Sequence, residues 1–335
     1  MSDVPLIITP GDPAGIGPEI ALKALYGDET LRSYAVLMGD KAHLTSLAKA
    51  MGIAPDFASW QQGRPLEKER ITLYDITWPA PVIAGKADPA NAPLVIDTIK
   101  TAAELAMQGK VSGIVTCPIA KSNLYEAGFA YPGHTEYLGA LSHDKTPIMM
   151  LANDHLRVVP ATIHIPLKEV SNALSSANLS SLITQLVGAL QQDFGIMRPH
   201  IALCGLNPHA GEDGKMGDEE QTIISPAITQ ASKALGKEAI LSGPIAADSL
   251  FHSEKIAQFD CVIGMYHDQV LIPVKTIDFH GSVNVTLGLD FVRTSPDHGT
   301  AFDIADRYIA KADSLARAII FAHQMAANRA MSKKA

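Results

Sequence analysis

The chain has 335 residues, of which 47% are hydrophobic and 19% charged, and its formal net charge is −8. Phosphate backbones demand a basic surface, so this balance excludes a nucleic-acid partner. No apolar run reaches the length that a membrane span requires. The opening "MSDVPLIITPGDP" lacks the basic flank and cleavage pattern of a signal peptide. Cys117, Cys204 and Cys261 lie singly in apolar runs with no C-x-x-C pair, so buried free thiols in a reducing, cytoplasmic setting are expected.

"LIIT" reads as a strand that runs into "PGDPAGIGPEI", where Pro18 suits a first helical turn and Glu19 favours a helix N-terminus. "YAVLMGD" reads as a second strand and "KAHLTSLAKAMG" as the helix after it. From Pro55 to about Pro93 the chain is rich in proline, glycine and charge, and only "RITLYDI" reads as strand. Irregular structure or an edge hairpin is expected there. "PLVIDTIKTAAELAMQGK" predicts a helix that starts near a proline and stops at Gly109, and "VSGIVTCPIAK" a buried strand. Further strands are predicted in "TPIMMLAND", "LRVVPATIH", "PHIALCGLN" and "DCVIGMYHD". Helical stretches separate them, notably "LSSLITQLVGALQQDFG", and "DSLARAIIFAHQMAANRAM" forms the last helix. Near-continuous apolar strands alternating with helices predict an α/β fold with a largely parallel sheet.

Three of these strands lead into a histidine: His164 closes "VVPATIH", His209 follows "IALCGLNPH" and His267 follows "CVIGMYH". Ligands of open α/β sheets bind outside the carboxyl ends of the strands, where these positions would converge. Three neutral imidazoles suit zinc or another borderline divalent ion. Singly, each is equally an ordinary hydrogen-bonded strand-end residue, and no H-E-x-x-H pattern links them. Lys121, the "GHTEYL" residues His134, Thr135 and Glu136, then Asp268, Lys275, Asn284 and Arg293 fall beside the same strand ends. Such donors match a small phosphorylated acid, although any one of them taken alone also fits a solvated surface.

The first loop has the pattern G-x-x-x-G-x-G rather than G-x-G-x-x-G, with no ribose-binding acid at the expected distance, so it is not a Rossmann fingerprint. "GDPAGIGPEI" resembles the G-D-G-I-G-P-E segment of isocitrate and isopropylmalate dehydrogenases. "DHGTAFDIA", residues 297–305, resembles their adenosine-binding H-G-[ST]-A-P-D-I-A. Pro13 and Ala14 lengthen the first loop, Phe302 replaces a proline, and the metal-binding aspartates of that group have no counterpart. Together with "HIPL", "CGLNPHAGEDG", "MYHDQVLIPVK" and "GSVNVTLGLDFVRTSPDHGTA", these segments resemble the 4-hydroxythreonine-4-phosphate dehydrogenase (PdxA) family from about Thr9 to Asp306. Lys41 to Ala92 adds nothing distinctive.

The resemblance implies a two-domain isocitrate/isopropylmalate dehydrogenase-like α/β fold with a cleft between domains. Residues 1–125 plus about 285–335 would form the first domain and about 126–284 the second. It implies a homodimer with a shared active site, NAD or NADP as cofactor, and one divalent ion (zinc, magnesium or cobalt) per site. The metal ligands would be His164, His209 and His267, the last from the partner subunit. Substrate would meet His134, Thr135, Lys275, Asn284 and Arg293, and the cofactor would meet His298, Gly299, Thr300, Ala301 and Asp303. The implied reaction oxidises 4-phosphohydroxy-L-threonine at its 3-hydroxyl and then decarboxylates it to 3-amino-2-oxopropyl phosphate. Lys275 and His134 are the candidates for the general base. Two other readings remain open at this point: a paralogue acting on 4-phospho-D-threonate or 4-phospho-D-erythronate, and a metal-dependent lyase with no redox step.

Overall fold

The structure, a computed structural model, describes residues 4–143 and 145–332. Its strands in chain order are β1 (Leu6–Thr9), β2 (Ala35–Gly39), β3 (Phe57–Ser59), β4 (Ile71–Asp75), β5 (Gly113–Thr116) and β6 (Ile148–Ala152). They continue as β7 (Arg157–Pro160), β8 (His200–Cys204), β9 (Ile240–Ile245), β10 (Cys261–Gly264), β11 (Val283–Leu287) and β12 (Val292–Pro296). Two compact units share them: Met1–Pro147 with Leu289–Ala335, and Ile148–Gly288. The first crossing thus falls later than the expected 126. Lys121–Glu126 and His134–Leu141 pack against the helix Ala92–Met107 and so stay with the first unit.

In the first unit the strand order is β3-β4-β2-β1-β5-β12, and every pair is parallel. Leu6, Ile7, Ile8, Val36, Leu37, Ile114 and Val115 are buried, as expected of strands covered on both faces. The helix Gly17–Gly27 carries Pro18 in its first turn and Glu19 beside its positive end. Ala92–Met107 buries Val95, Ile99, Ala102 and Ala103, a three-to-four-residue repeat that lays one stripe against Ile7 and Ile114. The edge hairpin does not form. β3 runs parallel to β4, with Phe57 opposite Ile71, so residues 60–70 must carry the chain back to the other end. "FAS" was too short to show an alternation.

In the second unit the order is β11-β6-β7-β10-β8-β9. β7, β10, β8 and β9 are parallel neighbours, and β6 is antiparallel to both β11 and β7. Buried Asn153 makes the β6–β7 reversal: its Oδ1 accepts the N–H groups of His155 and Leu156, each at 2.9 Å. Ser175 caps the helix Ser176–Phe194 by accepting the Asn178 N–H at 3.2 Å, and Gly195 ends it in the left-handed region. All three cysteines are free and buried, and burial pushes each thiol up to about 12, which leaves them without nucleophilic character. No single described helix is long and apolar enough to cross a membrane.

The first loop depends on Gly11, whose φ is +69° and where a Cβ would lie 2.2 Å from the Pro118 carbonyl oxygen. Gly11→Ala therefore combines backbone strain with overpacking and should cost about 2–4 kcal/mol. The measurement is the thermal midpoint of unfolding, and an unchanged midpoint would contradict this account of the loop.

Candidate functional site

Because β7, β10 and β8 are adjacent and parallel, their carboxyl ends share one edge of the second unit's sheet, and the loops that leave them carry His164, His267 and His209. These loops are tied sideways. Thr162 donates to the Met265 carbonyl through its N–H at 3.2 Å and its hydroxyl at 2.7 Å. Gln269 accepts the Met265 N–H at 2.7 Å and donates to the Gly205 carbonyl at 2.8 Å. One backbone residue, Met265, therefore links the loop of His267 to the other two.

The rings of His164 and His267 lie 5.7 Å apart, centroid to centroid, beside a cavity of about 250 Å³ lined by Ile163, Val170 and Tyr266 among others. His267 Nδ1 is 2.6 Å from Asp268 Oδ1. A carboxylate acceptor selects the tautomer with hydrogen on Nδ1, which turns the Nε2 lone pair outward in the way metal-binding imidazoles are held. His209 is exposed and begins a turn in which His209, Ala210, Gly211, Glu212 and Asp213 have φ of 51°, 51°, 80°, 42° and 57°. Among the described residues no three His, Cys, Asp or Glu side chains of one chain gather closely enough to hold a metal. The structure thus brings together two of the three candidate ligands.

Lys275 lies on the helix His267–Ile277, with its ammonium 5.7 Å from the Phe279 ring centre. Asn284 is on β11 opposite Leu151, and its buried Oδ1 has no hydrogen-bond partner among the described residues. That is an acceptor held in reserve for a ligand's N–H or O–H.

In the first unit Arg293, on β12, is buried, and its Nη2 donates to the Thr116 hydroxyl of β5 at 2.7 Å. Burial pushes the guanidinium down to about 10, while Glu136 acts in the opposite direction. His134 and Thr135 open the helix His134–Leu141, whose positive end adds to the local field. His134 is half-buried, and its Nε2 is shut off from solvent with no partner among the described residues. Burial holds this imidazole well below the usual range, and the charges of Arg293 and Lys121 push it the same way. A neutral histidine, an arginine and a lysine around a helix N-terminus form a ready place for an anion.

The two motif segments of the first unit are joined through backbone. The Ile16 N–H donates to the Thr300 carbonyl at 3.0 Å, and a Cβ at Gly15 would lie 2.9 Å from that same oxygen. The Gly85 N–H donates to Ala14 at 2.8 Å. Ala301 adopts φ of 44°, and His298, Gly299 and Asp303 are exposed along this strip. Glu19 fixes the stretch beyond the strip: its buried carboxylate accepts from Ala310 N–H at 2.9 Å and from Lys23 at 2.7 Å, and Lys23 also holds the carbonyls of Tyr308 and Ala310.

Several residues of this architecture carried no signal of their own in the sequence: Thr116, Thr162, Asn207, Glu220 and Gln269. Asp12 was visible only as part of the glycine loop. Burial raises its carboxyl, while the Ala14 N–H and the Asn123 side chain hold it down.

Residues 31–322 match the family described as "Pyridoxal phosphate biosynthetic protein PdxA". The chain belongs to the PdxA family. It is 47% identical to the 4-hydroxythreonine-4-phosphate dehydrogenase of Paracoccus denitrificans, over 97% of this chain and 98% of that one. The dehydrogenase of the same name from Caulobacter vibrioides is 46% identical over 98% and 99% of the two chains. The crystal structure of 4-hydroxythreonine-4-phosphate dehydrogenase from Klebsiella pneumoniae superposes with a TM-score of 0.87 at 35% identity, covering 96% of this chain and 99% of that one. Membership in the PdxA family carries the dehydrogenase-like α/β fold expected from the two glycine-containing motifs.

The setting of His134 has a pH consequence. Its folded-state pKa is depressed, so between that value and the unfolded value near 6.5 the unfolded chain binds more protons. Stability contributed by the neutral ring is complete above about pH 6.5 and declines as pH falls toward the folded pKa. Urea titrations at a series of pH values should show wild-type stability falling more steeply below this point than that of His134→Gln. Parallel curves would contradict the buried, neutral ring.

Proposed function

We propose that this chain is an NAD- or NADP-dependent dehydrogenase that converts 4-phosphohydroxy-L-threonine to 3-amino-2-oxopropyl phosphate and carbon dioxide, for pyridoxal phosphate biosynthesis. The observation that carries this reading is the likeness to dehydrogenases of that name along nearly the whole chain. The donor chemistry of the site fits the groups that the reaction needs. Paired imidazoles with one ring oriented by a carboxylate suit a borderline divalent ion such as zinc or cobalt better than magnesium, which prefers oxygen ligands. The strip from His298 to Asp303, with His298, Gly299 and Asp303 exposed and its backbone tied to the glycine loop by the Ile16–Thr300 hydrogen bond, is where a nicotinamide cofactor would lie.

When bound, the cofactor supplies hydride acceptance and the ion supplies Lewis-acid polarisation of the substrate hydroxyl. The chain's own residues bind and orient. Arg293 offers a desolvated guanidinium to an anionic group of the substrate, and the Thr116 hydroxyl holds it in place. Neutral His134 serves at neutral pH as a hydrogen-bonding neighbour of the substrate, since burial and the charges of Arg293 and Lys121 keep it from carrying a proton. Lys275 serves as a second cationic contact, and the reserved Oδ1 of Asn284 as an acceptor. The reading includes a homodimer. In this reading His164, His209 and His267 form the ligand set, with His267 contributed by the second subunit.

Purified protein given 4-phosphohydroxy-L-threonine, a divalent ion and NAD or NADP should accumulate reduced nicotinamide, read by its absorbance. Consumption of the substrate to redox-neutral fragments, with no reduced nicotinamide and no 3-amino-2-oxopropyl phosphate, would instead establish the non-redox lyase. Arg293→Met should lower kcat/KM by roughly 100-fold or more, because a substrate anion loses its buried charged partner. Unchanged kinetics in that variant would remove Arg293 from substrate binding.

A further inference from the structure

The turn that presents His209 is the most strained backbone in the second unit, and its support is built from side chains outside the candidate ligand set. Four non-glycine residues, His209, Ala210, Glu212 and Asp213, are left-handed in close succession. Such a run persists only where the surroundings over-determine it. The surroundings are two carboxylates acting on Asn207, two residues before the histidine. Glu220 Oε1 accepts the Asn207 backbone N–H at 2.7 Å, and Glu220 Oε2 accepts its side-chain amide at 3.0 Å. Glu219 Oε2 accepts the same amide at 2.7 Å, and Glu219 Oε1 is in turn held by the Ser171 hydroxyl at 2.7 Å. The Asn207 carbonyl then accepts the Ala210 N–H at 3.1 Å, closing the turn over His209.

Glu220 is 3% exposed and has no basic partner among the described residues. An ionised carboxylate so deeply placed is costly unless its hydrogen bonds recover the loss of water, and both of its oxygens are engaged by Asn207. It also opens a π-helical turn, Glu220–Ile224, a geometry that helices adopt mostly at functional positions. A chain that needed only stability here would be better served by an apolar residue on a regular helix.

We infer that Asn207 and Glu220 are positioning residues that set the direction of the His209 imidazole for the divalent ion, an inference that rests on the ligand role proposed for His209. Neither touches the ion or substrate in this scheme. Their effect passes through the Asn207 backbone into the left-handed turn.

The test is Co²⁺ binding by the full-length protein, followed by the visible spectrum of the bound ion and by competition with a chelator. Outer-shell partners of metal ligands are worth roughly 10–100-fold in affinity, so Glu220→Gln and Asn207→Ser should each weaken Co²⁺ binding by about tenfold or more. Each should also alter the spectrum of the bound ion. Unfolding of the metal-free variants is recorded alongside. Lowered stability with wild-type affinity and spectrum would show a merely structural role and overturn the inference. If Glu220→Gln does not fold, Asn207→Ser, which retains the backbone N–H donor to Glu220, decides by the same readouts. His209→Ala separates the two levels. Wild-type Co²⁺ binding in that variant would overturn the ligand role itself, whereas lost binding there with intact binding in both Asn207 and Glu220 variants would overturn only the positioning.

Discussion

Parallel pairing of β7, β10 and β8 is the constraint from which the chemistry of the second unit derives. Parallel neighbours must all finish at one edge, so three chain segments far apart in sequence leave the sheet side by side. Pairing alone aligns strands and leaves loops free. Here the alignment extends past the last strand residue, because Thr162 and Gln269 both bond to Met265 and carry the register into the loops. His267 benefits most, since it lies two residues beyond Met265 and opens a helix whose first acid, Asp268, fixes its tautomer.

The first unit solves a different problem, that of fixing the backbone strip from His298 to Asp303 against a loop from the other end of the chain. The solution joins a glycine loop to a segment almost the whole chain length away, through the Ile16–Thr300 bond. Glu19 and Lys23, one turn apart on the helix after the loop, hold the end of the same segment at Tyr308 and Ala310. The acid of the G-P-E motif is therefore a clamp on the far segment. This gives a physical reason why "GDPAGIGPEI" and "DHGTAFDIA" occur together: the Ile16–Thr300 hydrogen bond joins them, and Glu19 and Lys23 hold the chain just beyond the second.

The same logic governs which elements were legible in the sequence. Central strands such as "LIIT", "AVLMG" and "CVIG" could be read because burial on both faces forces continuous apolar runs, and Ala92–Met107 because burial on one face forces a helical repeat. β3 and β9 could not: three residues show no period, and β9, the last strand of its sheet, holds "ILSGPI" with most of its side chains partly exposed. β11 and β12 were hidden for another reason. Candidate site residues Asn284 and Arg293 put polar side chains where strand patterning expects apolar ones. The histidines were visible as strand-end residues, but the pairing of His164 with His267, and the left-handed turn that carries His209, depend on loop geometry that no spacing encodes.

The His209 turn shows most directly how stability and site geometry trade against each other in this chain. A left-handed residue with a Cβ costs roughly 1–2 kcal/mol, so four of them amount to a substantial share of a domain's net stability. Glycines in place of Ala210, Glu212 and Asp213 would relax the stretch, yet they would let the His209 imidazole wander, because their backbone has the widest freedom. Side chains with a Cβ make the turn costly but allow few alternatives once it is formed. Asn207, gripped by Glu219 and Glu220, then selects one of those few. The outcome is an exposed imidazole on a backbone with little freedom to move.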